Sequence, residues 1–156
     1  MKKSYILGAA LSLLVLTLLI FYIIQIIQSK YKPNTKEALI LLVHNNKIDL
    51  SDIDTSEITD MSALFMGSKR SDFSGIESWD VSNVKDMSSM FQDAENFNKN
   101  IGSWNVSNVD NMNIMFYHAS NFNQDISSWH ISHYLNTLNM FNDSPLENNL
   151  PFWYGM

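Results

Sequence analysis

Trp79, Trp104 and Trp129 recur at one constant interval, and around each the chain repeats one phrase. Ile53 holds the same column ahead of Trp79, a single position beyond that interval. Two positions on, the column reads Thr55, Val81, Val106, Ile131, followed by serine in every copy: Ser56, Ser82, Ser107 and Ser132. Ile58, Val84 and Val109 precede Met61, Met87 and Met112; Leu64, Met90, Met115 and Met140 precede Phe65, Phe91, Phe116 and Phe141. Later columns hold Phe73, Phe97 and Phe122, then Ile76, Ile101 and Ile126. A partial copy, LENNLPFW, places Leu150 and Trp153 where the pattern expects Ile and Trp. A period in the twenties is the signature of a solenoid, in which one repeat cannot bury its apolar side chains alone and stacking completes the core.

The spacing within one repeat predicts the form of a coil. I-x-x-W-x-V alternates, which predicts a very short strand with Trp and Val on one face. The serine that follows stands where a helix N-cap is wanted. V-x-x-M-x-x-M-F then puts apolar residues at i, i+3, i+6 and i+7, one face of a short helix or 3₁₀ turn. The expected fold class is therefore an α/β repeat solenoid, leucine-rich-repeat-like, with a short strand plus a short helix in each coil. Asn98 and Asn123, each after a core Phe, either satisfy backbone groups where a coil turns or are exposed loop residues. Of the nine methionines, those in the repeat columns recur at fixed positions, as the tryptophans do, which assigns them to the core rather than to a metal-binding groove.

Ahead of the repeats come two different materials. Tyr5 to Ile27 is an uninterrupted run without charge. As a helix, at about 1.5 Å per residue, it would span roughly 35 Å against a hydrocarbon core of about 30 Å. A secretory signal has a shorter apolar region and a small-residue cleavage site; this run ends in Gln25-Ile26-Ile27-Gln28. The expectation is one uncleaved transmembrane signal-anchor helix at 5–27, after a short tail at 1–4, in a single-pass cell-membrane protein. Lys2 and Lys3 on one flank face Lys30, Lys32 and Lys36 on the other, a count that slightly favours a cytoplasmic repeat domain. The Lys-Lys-plus-apolar start resembles an export signal instead, so the expected orientation is N-terminus inside with the repeats extracytoplasmic.

A linker at 28–34 leads to PNTKEALILLVHNNKIDL, where Asn34 followed by Glu37 has the form of a capping box. Leu39, Leu42 and Val43 share a helical face, predicting a helix of about 35–45 that covers the open end of the stack. The domain order is then a capping helix and first strand at 35–52, tandem repeats at 53–145 and a C-terminal cap at 146–156.

From Pro33 onward the chain has six basic residues against all 16 acidic ones, a formal balance of −10. Phosphate neutralisation needs a basic patch, so no nucleic-acid partner is expected. Cysteine is absent, which excludes disulfides and thiol chemistry. His130 and His133 are three apart, but neither falls in a column where other copies carry a ligand, and exposed strand positions account for them. Asp86 and Asp125 sit in polar columns where solvated turns want such residues. There is no D-x-D-x-D-G loop, Gly-rich phosphate loop or G-x-S-x-G, and no cofactor, metal site or catalytic residue is expected; the chain reads as a non-enzyme.

The units WDVSNVKDMSSMFQDAENFN and WNVSNVDNMNIMFYHASNFNQDISSW resemble the short tandem repeat found in BspA-like leucine-rich-repeat bacterial surface proteins. The resemblance covers about 35–156 and implies a non-catalytic protein-binding or adhesion module with a host or envelope protein as ligand. The alternative is a structural or accessory subunit packing against another envelope membrane protein. The last copy departs from the pattern, with Tyr134 in place of the Val and Thr137 in place of the Met. Candidate ligand-facing positions are the outward strand residues that vary between copies: Asp54, Asp80, Asn105 and His130.

Overall fold

A computed structural model describes residues 15–17 and 30–155. Its one full helix, α1, is Lys36–Val43, with Leu39 and Val43 buried. Thr35 caps it: the hydroxyl accepts from the Ala38 N–H at 3.2 Å, in place of the predicted Asn34. The rest is four coils at 53–78, 79–103, 104–128 and 129–152, stacked in the register that the tryptophan column sets. Parallel bridges join Asp60 to Asp86, Asp86 to Asn111 and Asn111 to Asn136.

The stack buries the columns one by one. Phe65, Phe91, Phe116 and Phe141 lie ring on ring at 5.6, 5.6 and 5.8 Å, within 5° of parallel. Phe97 and Phe122 fill the space beside them, 3.7 Å from Phe91 and 4.0 Å from Phe116. Met87, Met90, Met112 and Met115 are fully buried among them. Each tryptophan has a second task. The indole N–H of Trp104 donates to the Ile76 carbonyl, three positions ahead of the preceding tryptophan, at 3.2 Å, and Trp129 does the same to Ile101 at 3.1 Å. Those carbonyls already accept the backbone N–H three positions on, from Trp79 and Trp104. A large apolar ring with one donor therefore saturates a buried oxygen while filling the core, which Phe cannot do.

The α/β coil predicted from the spacing is not what forms. Among the described residues there is no strand longer than an isolated bridge, and beyond α1 the complete helical elements are 3₁₀ turns at Leu50–Asp52, Ile76–Ser78 and Pro145–Asn148. The W-x-V alternation is real in its burial, with Trp79 and Val81 inside and Asp80 outside. No backbone ladder joins it to the next coil, so it remains extended chain. The V-x-x-M-x-x-M-F segment is a run of i to i+3 turns, not a helix. Its residues Ala63, Ser89, Ile114 and Asn139 have φ of 54°, 54°, 60° and 55°, and Gly67, Asp93, His118 and Asp143 four positions later are also left-handed. Left-handed residues at that interval end any helix.

This alternation has a directional result. At the first junction the N–H groups of Met61, Ala63, Phe65 and Gly67 donate to the carbonyls of Asp86, Ser88, Met90 and Gln92 at 2.8–2.9 Å. The same four bonds recur at the next two junctions, always from the earlier coil to the later. Along this arc the N–H groups that cross between coils point toward the C-terminal end of the stack, and the carbonyls that accept them toward the N-terminal end.

The expected single-pass membrane architecture is corrected as well. Among the described residues no helix is long and apolar enough to cross a membrane. The run Tyr5 to Ile27, and with it the anchor and its orientation, lies outside the described residues except for helical Val15–Thr17. The tail at 1–4 also lies outside them.

The ends differ. At the N-terminal end α1 runs alongside the carbonyl arc, from Lys36 at Asp60 and Ser62 to Val43 at Arg70. Gly75, at φ 94°, lets this end close tightly, because a Cβ there would run into the Ser51 backbone nitrogen. At the C-terminal end Trp153 takes the next tryptophan position, 5.9 Å from Trp129, with its N–H on the Ile126 carbonyl at 3.0 Å. Leu150 does not take the Ile position; it is half exposed and Pro151 is buried instead. In the fourth coil Tyr134 points out and Leu135 packs on the core, a local slip of one position.

Candidate functional site

Asp54, Asp80, Asn105 and His130 form one strip, because the coil register places them above one another on the edge next to the Trp column. The side chains of the first three are already engaged. Asp54 Oδ1 accepts from the Ser56 N–H at 3.0 Å, Asp80 from Ser82 at 2.9 Å and Asn105 from Ser107 at 3.3 Å. These Asx turns bend the chain after W-x-V and explain both the acidic or amide residue and the serine two positions later. The serine is part of that turn, not a helix N-cap. Hydrogen bonds from Ser56 and the neighbouring Lys32 ammonium hold the Asp54 carboxyl below its usual range, against the opposing effect of burial. Lys32 also pairs with Glu57, and the two carboxylates raise its own pKa. His130 is exposed and forms no Asx turn, so it is the strip member with a free side chain.

Two further ladders were not anticipated from the sequence. Asp60, Asp86, Asn111 and Asn136 each accept an N–H two positions on. Amide groups then link the coils, Asn111 to Asp86 and Asn136 to Asn111, both at 3.3 Å. Lys36 closes the ladder on Asp60 at 3.1 Å and also reaches the Ser62 hydroxyl. Burial raises the Asp60 pKa, but the Ser62 and Lys36 bonds outweigh it, and the net direction is down. The signal was an Asx immediately before the Met column in every copy. Asn83 and Asn108 form a second ladder, each donating to the serine carbonyl of the coil before at 2.8 Å. His133 interrupts it.

A third ladder joins coils two to four: His118 lies 3.1 Å from Asp93 by Nδ1 and 3.0 Å from Asp143 by Nε2. Each ring nitrogen faces a separate carboxylate, and among the described residues no group of three or more such side chains converges on a metal position. His133 packs edge-on to Tyr134 at 5.5 Å, away from any ligand set. Asp125 accepts from Ser127 at 2.9 Å, which lowers its pKa. Asn98 Oδ1 accepts from the Asn123 N–H at 3.1 Å and from the Gln124 amide at 2.8 Å, so the first of the two loop asparagines does satisfy the backbone of the next coil.

A family model described as Mycoplasma protein of unknown function, DUF285, matches residues 36–153. The chain belongs to this family. The DUF285 match begins at the first residue of α1 and ends at Trp153, so it coincides with the capped stack, from one lid to the other. No curated protein and no solved structure matches the chain.

At the C-terminal end of the DUF285 stack lies an open groove of about 520 Å³, whose walls include Ile131, Leu135, Thr137, Phe152 and Trp153. Its lining is largely apolar, with the exposed Phe152 side chain and the imidazoles of His130 and His133 in its walls.

Proposed function

We propose that the chain is a BspA-like repeat module that acts by contact with a protein ligand and not by catalysis. The observation that carries this reading is the strip of Asp80, Asn105 and His130. The core columns repeat from coil to coil, whereas these side chains change, and the stacking register sets them out as one continuous exposed surface. Repeat folds use such surfaces for binding because the scaffold is fixed by the buried columns while outward positions are free to differ. Acidic, amide and imidazole groups in a row suit a polar or basic protein surface.

The test is site-specific photo-cross-linking in cells, with the reactive group at His130 and, for comparison, at exposed Ser120 outside the strip. The expected result is a discrete protein adduct at His130 that Asn105→Lys abolishes and that Ser120 does not yield. Identical adducts from both positions, or none at His130, would overturn the reading.

A further inference from the structure

The C-terminal edge of the fourth coil carries an unanswered row of hydrogen-bond donors. At each junction the donors of one coil are met by carbonyls of the next. In the fourth coil the corresponding N–H groups belong to Thr137, Asn139, Phe141 and Asp143. The Asp143 N–H is met by the Glu147 carboxylate at 3.1 Å. Those of Thr137, Asn139 and Phe141 have no acceptor among the described residues. The Leu135 carbonyl, equivalent to the Thr59, Lys85 and Asp110 carbonyls that accept from a following coil, likewise has no donor among them. Trp153 and Tyr154 seal Phe141, and the Tyr154 hydroxyl donates to the Thr137 carbonyl at 3.2 Å, but neither gives the row an acceptor. Ile131, Leu135 and Thr137 are only half buried, whereas their counterparts Val106, Val109 and Met112 are at most 1% exposed.

We propose that this edge is a second binding site, bordering the strip at His130, which takes an extended segment of another protein as a fifth coil. The first two junctions show what fits such an edge: a segment of the form Val-Ser-Asn-Val-x-Asp/Asn-Met-x-x-Met-Phe. Its Asp/Asn carbonyl and those two and four positions on meet the three donors, and its aliphatic side chains three apart enter the groove. An ordinary strand is a poorer match, because its edge alternates donors and acceptors while this row consists of donors. A second copy of the chain is disfavoured in both orientations. Head to tail, the matching carbonyl row of Asp60, Ser62, Leu64 and Met66 runs under α1, held by Lys36 and Arg70. Tail to tail, donors would oppose donors.

The probe is a labelled peptide of residues 105–118, the segment that occupies this position on the second coil, titrated against the full chain by fluorescence anisotropy. Saturable binding is expected, weakened at least tenfold by Leu135→Lys and by Thr137→Pro. The proline variant removes an N–H that the chain itself does not use, after the bridge residue Asn136. Thermal melting of each variant confirms that it is folded, and Asn105→Lys on the strip leaves peptide binding unchanged. Absence of binding, equal binding of a scrambled peptide, or indifference to Thr137→Pro in the folded variant overturns the proposal. So does sedimentation showing a dimer of the chain alone that Leu135→Lys dissociates, since the edge would then belong to a second copy.

Discussion

The two ends of the stack are closed by different means, and the difference follows from the direction of the hydrogen bonds between coils. The N-terminal end presents carbonyls and is met by a helix and two cations, Lys36 on Asp60 and Arg70 beneath α1. The C-terminal end presents N–H groups and is met by an aromatic lid and one carboxylate, Glu147. Aligned peptide groups in a helix leave a positive pole at the N–H end and a negative pole at the carbonyl end, each favouring the opposite charge. Along the arc of this stack the peptide groups are aligned too, by alternating left-handed residues instead of by a helix, while Lys36 and Arg70 answer the Asp60 carboxylate and the carbonyls of Val43, Ile48 and Asp72.

The largest effect that would sharpen the contrast is loss of the C-terminal lid. Trp153 is buried, stacks on Trp129 and closes the Ile126 carbonyl, so Trp153→Ala should cost about 3–5 kcal/mol. Because each coil touches only its neighbours, hydrogen exchange should show the loss of protection in the fourth coil while the first two keep theirs. Uniform loss of protection would mean that the ends are not independent.

At the other end Arg70 is 6% exposed and donates to the carbonyls of Val43, at 3.2 Å, Ile48, at 2.7 Å, and Asp72. Burial lowers its affinity for the proton, and the carboxylates of Asp72 and Asp49 oppose that. Arg70→Met keeps the stem but leaves those carbonyls unanswered, and a loss of about 2–3 kcal/mol is expected. Faster exchange confined to α1 and the first coil is the readout.

Why the coil's secondary structure was misread is visible at particular residues. The columns, the core and the stacking period could be read directly, because identical large side chains recur at fixed intervals. A three-residue spacing of apolar side chains, however, fits a chain of i to i+3 turns as well as it fits a helix. Glycine marks the left-handed positions only at Gly67; elsewhere they carry Ala, Ser, Ile, Asn, Asp and His. The Asx turns at Asp54, Asp80 and Asn105 were legible in principle, as an Asx two positions before serine, but that spacing looks the same as a polar strand face. The open donor row was not legible, since it depends on which way the peptide groups point.

Ile114 tests the turn geometry itself. A β-branched residue at φ 60° is strained by roughly 1–2 kcal/mol. Asn occupies the same column at 139, and Ile114→Asn should stabilise the third coil by up to about 1 kcal/mol in thermal melts, less whatever packing the half-buried side chain supplies. Glu147→Lys should be the smallest single-site effect, about 0.5–1 kcal/mol of destabilisation, diminishing with added salt.

Acid sharpens the comparison in another way. Asp49, Asp54, Asp60 and Asp72 lie toward the N-terminal end, and all four are held below the ordinary carboxylate value. Asp125 shows the same shift toward the other end, through the Ser127 N–H and hydroxyl. A depressed folded-state pKa contributes stability that is present above the unfolded value, about 4, and is lost as the pH falls through the lower folded value. Below roughly pH 4 the N-terminal coils should therefore lose exchange protection before the fourth. Simultaneous loss at both ends would remove that ordering.

The repetition of one bonding pattern at every junction has a consequence for how such chains change length. Every internal junction offers equivalent backbone donors and carbonyls and the same step of the first Phe column, so a duplicated or deleted internal repeat meets an equivalent backbone edge on each side. A tandem duplication in the coding sequence would insert a coil without disturbing any contact elsewhere. Loss of a single residue inside a coil would instead shift the left-handed positions out of register with both neighbours. Repeat number is thus the variable that inheritance can alter freely, while the two lids are the parts that cannot be exchanged for one another.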